Sequence, residues 1–480
     1  MSIRIWSRTF LLVALANQLC LGQESIADRK TAEREMAPKE APVLCGGATL
    51  PDPIYRIAIL DFEDDFMSHH PGRNPNILYN QDPPNKQNIP GKIVDLGSLK
   101  GIEAFRKHKL ECAGTDWPIQ PIEGAIQIPS VLGAVVIIYN VPELTALSPP
   151  LNFTADTLAK IFSGKITKWD DPNIQRDNPG APLLSKDIMP VVREDGSGTT
   201  HIFTSFLTSL SSSWEGGNDF IVKKWARAST PVKSNGEVAE TVDKLDYSIG
   251  YVEYRYANTY KLAQANVQNL IGQKSDAIHG TDARQDDRAR HFIAASVGAI
   301  RAAVPEDVSV PLASPEQIQE EFPNSTNNND YPISGFTWLL AWKPSNQSEA
   351  VLCDFLDFLP GWMQSYAQKH QYASLPDEVD EKNRAALDTI CPPTATLQAS
   401  AQSGSVGSTV VITWTGLTGA TPLDPKAVRL LFGGVRATAF SVDSDTQITA
   451  TVPPDALTGK IRLKTSNGSA VSANDFTISK

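Results

Sequence analysis

The segment Val191-Val192-Arg193-Glu194-Asp195-Gly196-Ser197-Gly198-Thr199-Thr200 concentrates the groups most able to do chemistry. An apolar strand sequence runs through two glycines into a helical repeat carrying Ile202, Phe203, Phe206, Leu207 and Leu210. Glycines let consecutive backbone N–H groups converge on one point, and a helix N-terminus adds partial positive charge there. Ser197 and Thr199 contribute hydroxyl donors, and Arg193 a planar fork of charge-assisted hydrogen bonds. That chemistry suits a tetrahedral oxyanion. The segment lacks the lysine and spacing of a P-loop, and a Gly/Ser helix cap standing alone can be purely structural.

Two further stretches share the grammar of strand, turn and helix. Gly46-Gly47-Ala48-Thr49-Leu50-Pro51 precedes Ile54, Tyr55, Ile57 and Ile59, and Gly114-Thr115-Asp116 follows Leu110 to Ala113. Gly97-Ser98 ends the short run Ile93 to Leu96. Four such helix starts in one chain, rich in hydroxyls and holding one acid and one arginine, favour an anion site over four unrelated caps. From about residue 41 to 392 short β-branched runs alternate with amphipathic stretches, the pattern of an α/β chain. Gly133 to Tyr139 (GAVVIIY) predicts a buried strand. Helices are predicted at Thr154 to Phe162, capped by its threonine and stopped at Gly164, at Thr199 to Leu210, and at Asp377 to Ile390, closed by Pro392 and Pro393.

The chain has 480 residues, 41% hydrophobic and 20% charged, with a net charge of −11. At roughly 100 to 200 residues per domain, that is two to four domains. The composition excludes a collagen, a coiled coil and a disordered chain, and its acidity leaves no basic stripe for nucleic acid and no polybasic membrane anchor. Any anion must therefore be held by local geometry against the sign of the whole molecule. Residues 1–22 read as a signal peptide, with Arg4 and Arg8 before the apolar run Phe10 to Ala16 and small residues Cys20 and Gly22 near the cleavage point. Asn17, Gln18 and Leu19 do not fit a lipid-attachment site at Cys20. Residues 23–41 read as a flexible leader, and no later run reaches the length of a membrane span. The mature chain is expected to be periplasmic or secreted.

Without Cys20, the cysteines Cys45, Cys112, Cys353 and Cys391 form an even set in an oxidising compartment, so two disulfides are expected among three possible pairings. His69 and His70 are placed in a polar loop with no third ligand, so no metal is expected. Residues 395–480 turn to Thr, Ser, Gly and Val. Alternating Val410, Ile412 and Trp414, then Ile461 and Leu463, predict a small all-β sandwich. A hydrolase reading fails on mechanism. Asp195 breaks the G-x-S-x-G frame around Ser197, and no histidine stands within the motif as a base, so no catalytic residue and no enzyme activity is expected.

The core, about residues 42 to 390, resembles the periplasmic phosphate-binding proteins of ABC phosphate importers. The resemblance rests on GGATLPDPIY (46–55), AGTDWPI (113–119), GAVVIIYNVPEL (133–144), LAKIFSGKITKWDDPNI (158–174), VVREDGSGTT (191–200), SIGYVEYRYA (248–257) and QYASLPDEV (371–379), in the family's order. The GGATLP opening is also similar to the secreted DING branch of that family. The resemblance implies a two-lobed type II periplasmic-binding-protein fold. Residues 42–133 and 341–392 would form lobe 1 and residues 134–340 lobe 2, with crossings near 134–140 and 333–341. It further implies a phosphate site made by Thr49, the Leu50 backbone, Ser98, Asp116, Arg193, Ser197, Gly198 and Thr199, with Asp195 orienting Arg193 from behind. No cofactor is implied, and an ABC permease is the implied partner.

Physical chemistry fits those roles. A buried Asp116 carboxylate can accept a hydrogen bond from protonated phosphate and repels unprotonated sulfate, while Arg193 supplies compensating charge. Leu99-Lys100-Gly101 replaces the family's serine- and glycine-rich helix start, bulky Trp117 follows Asp116, and the connection from Tyr55 to Gly97 is long; Lys100 is expected to face water. Cys45 and Cys112 each lie four residues before an implied ligand, so adjacent parallel strands would bring them level. A Cys45–Cys112 bridge is expected on that basis, with Cys353–Cys391 pinning the last helix. Residues 395–480 resemble IPT/TIG immunoglobulin-like domains through FGG (432–434), SDTQITATVP (444–453), TGKI (458–461) and NDFTIS. The implied function is phosphate capture for import. The alternative is a secreted phosphate-binding or adhesion protein that uses the β-domain to hold a surface or partner.

Overall fold

The computed structural model describes residues 38–70, 72–81, 96–144, 150–271, 273–274, 292–305, 319–325, 327–344, 350–417, 428–454, 456–465 and 468–479. The expected signal peptide, Cys20 and all but the last residues of the expected leader lie outside them.

The chain begins β1 (Val43–Gly47), α1 (Asp52–His69), β2 (Ile77–Tyr79), α2 (Gly97–Arg106), β3 (Cys112–Thr115) and β4 (Ala125–Asn140). It continues with α3 (Ala155–Phe162), β5 (Met189–Arg193), α4 (Gly198–Leu210), β6 (Thr230–Val232), α5 (Ser234–Lys244) and β7 (Ser248–Glu253), and returns through β8 (Ser334–Trp342), α6 (Ala350–Tyr366) and α7 (Asp377–Ile390). The strands line up as β2-β1-β3-β8-β4-β7-β5-β6. β1 is parallel to β2 and β3, and β5 is parallel to β6 and β7. β8 and β4 run antiparallel to their neighbours.

The long β4 belongs to both lobes. Its first part, Ala125–Ala134, pairs with β8, and Val135–Asn140 pairs with β7. Within it Val135, Val136, Ile137 and Ile138 are wholly buried, which is why the GAVVIIY run shows no polar alternation. Each such side chain contributes about 1.5–3 kcal/mol of transfer free energy. The return crossing falls at Ile333/Ser334, because all of β8 pairs with β3 and the first half of β4.

Thr154 caps α3 by accepting a hydrogen bond from the Thr157 N–H, and α7 spans the predicted Asp377 to Ile390. His69 and His70 correct the loop reading: α1 continues through His69, and the His70 ring stacks on Phe66 at 4.2 Å. Cys45 and Cys112 are register partners on β1 and β3 and form a disulfide, and Cys353 of α6 bonds to Cys391 at the end of α7.

After α7 the described residues from Ala395 to Ser479 form a separate nine-stranded sheet around an apolar core containing Val410, Ile412, Trp414, Leu430, Phe432, Ile461 and Phe476. It docks on lobe 1 through Arg429–Asp65 (2.8 Å), Arg462–Asp388 (2.8 Å) and Lys464–Asp354 (2.6 Å). The Arg429 guanidinium also lies over the Phe358 ring at 5.2 Å. Among the described residues no helix is long and apolar enough to cross a membrane.

Candidate functional site

Every residue expected at the site lies at or beside a strand end or a helix start, and these ends meet where the lobes face each other. Thr49 and Leu50 follow β1, Ser98 is in the first turn of α2, Asp116 follows β3, Arg193 ends β5, and Ser197 caps α4 at Gly198 and Thr199. All of them are buried. The two lobes are closed on one another. The Gly198 N–H of lobe 2 donates to Ser98 Oγ of lobe 1 at 3.1 Å, and the Leu99 N–H of lobe 1 donates to the Gly196 carbonyl at 3.0 Å. A Cβ on Gly198 would lie 2.6 Å from Asp116 Cβ and 2.7 Å from Ser98 Oγ, so only glycine permits this approach. Gly101 plays the same part beneath: a Cβ there would sit 2.4 Å from Gly47 Cα, which explains why the Leu99-Lys100-Gly101 departure still packs α2 on β1. Lys100 is exposed.

The hydroxyls share one polarity. Ser98 Oγ accepts from the N–H groups of Gly198 (3.1 Å) and Asp116 (3.4 Å), and Ser197 Oγ accepts from the Thr200 N–H at 3.1 Å. Thr49 Oγ1 accepts from the Asn235 side-chain amide at 3.0 Å and its backbone N–H at 3.3 Å. Thr199 Oγ1 accepts from the same amide at 3.1 Å and reaches Asp116 at 3.4 Å. A hydroxyl whose lone pairs are engaged by donors turns its proton outward. Ser98 and Thr49, each accepting from two N–H groups, are thereby set as donors, and Ser197, accepting from one, keeps its proton free to donate.

Charge is held in two buried places. Asp195 grips Arg193 with paired bonds of 2.5 Å from Nε and one Nη, which leaves Arg193 Nη1 buried with no protein partner. Burial pulls the Arg193 pKa down, but the hydrogen bonds to Asp195 outweigh it and the net direction is upward, so the group stays cationic. Asp116 is pushed up to about 7 by burial, against the hydrogen bond from Thr337 Oγ1 (3.1 Å), the Arg193 charge and the bonds from Thr199. It is an acid poised to hold or release one proton near neutrality. Beside the site, burial lowers the His201 imidazole to about 3, so it is neutral.

Residue-type reasoning missed Asn235, Thr337 and Tyr251. Asn235 opens α5 in lobe 2 and joins Thr49 and Thr199, and its Oδ1 accepts from the Glu253 N–H at 3.1 Å. Its segment Lys233-Ser234-Asn235-Gly236 follows β6 in the same strand-turn-helix grammar and was legible on that ground. Thr337 lies inside β8, and Tyr251, whose hydroxyl accepts the Arg193 N–H at 3.1 Å, lies inside β7; no local signal marks either.

A two-lobed α/β molecule with a buried, donor-lined site at the lobe junction is a solute-binding protein in class. The PBP superfamily domain matches residues 32–360. The phosphate-binding protein PstS of Pasteurella multocida (strain Pm70) is 31% identical over 311 residues, 63% of this chain and 79% of that protein. The phosphate-binding protein PstS of Methanocaldococcus jannaschii is 29% identical over 371 residues, 72% of this chain and 85% of that protein. The chain belongs to the PBP superfamily and, within it, to the PstS family of phosphate-binding proteins. A solved high affinity periplasmic phosphate-binding protein (PfluDING), bound with phosphate, shares the fold, with a TM-score of 0.52 at 19% identity, covering 72% of this chain and 93% of that one. The superfamily match ends before the β-domain.

Proposed function

We propose that this chain captures inorganic phosphate between its two lobes, outside the cytoplasm, and passes it to an ABC-type permease. The observation that carries the reading is the shared polarity of the site: hydroxyls committed as donors, an unpartnered Arg193 N–H, two helix starts, and a buried acid, Asp116, that is not taken up in an ion pair as Asp195 is. Donors alone suit any oxyanion. The acid selects one that shares a proton with it, as phosphate does near neutrality and sulfate does not. Thr49, Leu50, Ser98, Asp116, Arg193, Ser197, Gly198 and Thr199 would touch the anion, and Asp195 would hold Arg193 from behind. The role is binding, not catalysis: Ser197 uses its oxygen to cap α4, and His201 lays its ring on Trp117. Two disulfides fit an oxidising compartment.

The test is calorimetric titration of the purified protein with phosphate and with sulfate at neutral pH. Tight phosphate and weak sulfate binding is the expected result, and equal affinities would remove the role given to Asp116. Import is checked by phosphate uptake in cells lacking the chain; unchanged uptake would overturn delivery to a permease.

A further inference from the structure

The site is flanked by an aromatic contact between the two lobes. Trp117, directly after Asp116 in lobe 1, stacks face to face on His201 of α4 in lobe 2, with ring centroids 3.7 Å apart and planes 9° apart. Both are buried, at 5% and 8% exposure. Each ring is fixed from its own side. Thr115 Oγ1 donates to the Trp117 carbonyl at 2.6 Å and accepts its N–H at 3.3 Å, clamping the turn. The His201 N–H is bonded to the Ser197 carbonyl at 3.1 Å, and Phe220 meets the His201 ring edge-on at 5.0 Å. Phe220 in turn packs against the lobe 1 cluster of Ile102, Phe105 and Ile119, so lobe 2 contributes two rings to the seam.

We propose that Trp117 and His201 form an aromatic latch that is assembled by lobe closure and slows release of bound phosphate. This rests on the phosphate-capture reading of the same cleft. The two rings belong to different lobes, so any opening of the cleft must separate them and return both faces to water. The contact therefore stabilises only the closed state. It is absent when phosphate enters an open cleft, so association is unaffected and the whole effect falls on dissociation. Trp117 and His201 act as positioning residues, through closure and not by touching the anion. Trp117 also becomes a reporter, since its ring is stacked only when the lobes are shut.

The experiment is stopped-flow phosphate binding and release on the full chain, with Trp117→Leu, His201→Leu and His201→Phe. Loss of a stacked pair is expected to speed release about 3- to 10-fold in either leucine variant with the association rate unchanged. His201→Phe keeps a stacking ring and should restore slow release. Trp117→Phe should keep the latch while removing the tryptophan component of the phosphate-dependent emission change. The paired variants also control for folding, because a general packing defect would not be rescued by phenylalanine at 201. Release rates unchanged in both leucine variants, or a slowed association rate with normal release, would overturn the latch and leave phosphate capture standing. No phosphate binding by the unaltered protein would remove both.

Discussion

Asn235 of lobe 2 holds Thr49 of lobe 1, its side-chain nitrogen 3.0 Å from Thr49 Oγ1 and 3.1 Å from Thr199 Oγ1. One amide thus ties the two lobes together and sets the direction of two hydroxyls. Asn235→Ala removes both side-chain bonds, leaving the Thr49 hydroxyl only the longer backbone N–H bond at 3.3 Å and the Thr199 hydroxyl only its contact with Asp116. At about 0.5–1.5 kcal/mol per bond, phosphate affinity should fall roughly 5- to 150-fold. Asn235→Asp should cost more, because a carboxylate adds repulsion toward the anion. Calorimetry on both variants checks the order.

Arg193 and Asp195 form a buried pair, with side chains only 1% and 4% exposed. Asp195→Ala leaves the guanidinium without its partner in a dry site. A stability loss of about 3–5 kcal/mol is expected, since breaking one side of a buried pair strands the other charge. Denaturant unfolding measures it. Added phosphate should recover more stability in Asp195→Ala than in the unaltered protein if the anion takes over as counter-charge.

Asp116 gives the pH dependence. Its pKa is raised from 3.8 to about 7 by burial, so in the ligand-free fold it keeps a proton that the unfolded chain has already lost. Its contribution to stability is therefore full below its ordinary value and is lost as pH rises through about 7. For ligands the same titration predicts that sulfate discrimination narrows in acid, where a protonated Asp116 can donate to sulfate, and widens above about pH 8. Asp116→Asn should bind sulfate at every pH and flatten the ratio. A phosphate-to-sulfate affinity ratio that does not change with pH in the unaltered protein would count against this account.

The Cys45–Cys112 bridge closes a loop of 67 residues between neighbouring parallel strands under the site. Loop-closure entropy puts its worth at about 4 kcal/mol. Reduction, or Cys45→Ala with Cys112→Ala, should lower the unfolding midpoint strongly, and peptide mapping of the oxidised protein should recover this pair and Cys353–Cys391. A different pairing would contradict the β1–β3 register.

Much of the site was readable because its parts are local. The turns Gly46 to Pro51, Gly97-Ser98, Gly114 to Asp116 and Gly196 to Thr199 each carry their own backbone chemistry, α3 carries its own threonine cap and glycine stop, and α7 its Pro392-Pro393 stop. His69 and His70 were misread because the helix from Asp52 extends past the apolar repeat that marks it. Thr337 was missed because its partner is 221 residues away; Asn235 sits in a legible helix-start turn, but its pairing with Thr49 spans 186 residues.

The chain's residue types by themselves determined what the site could hold: backbone and hydroxyl donors, one arginine and one acid, in a molecule whose net charge of −11 gives an anion no general attraction. Trp117 stood out as bulky, but nothing in its neighbourhood named His201. Only the tertiary structure decided which lone pairs are already engaged, that Asp116 is dry enough to keep its proton near neutrality, and which rings meet across the cleft. Those properties depend on how two lobes hung on β4 and β8 come to rest against each other, a relation between distant surfaces that local sequence does not encode.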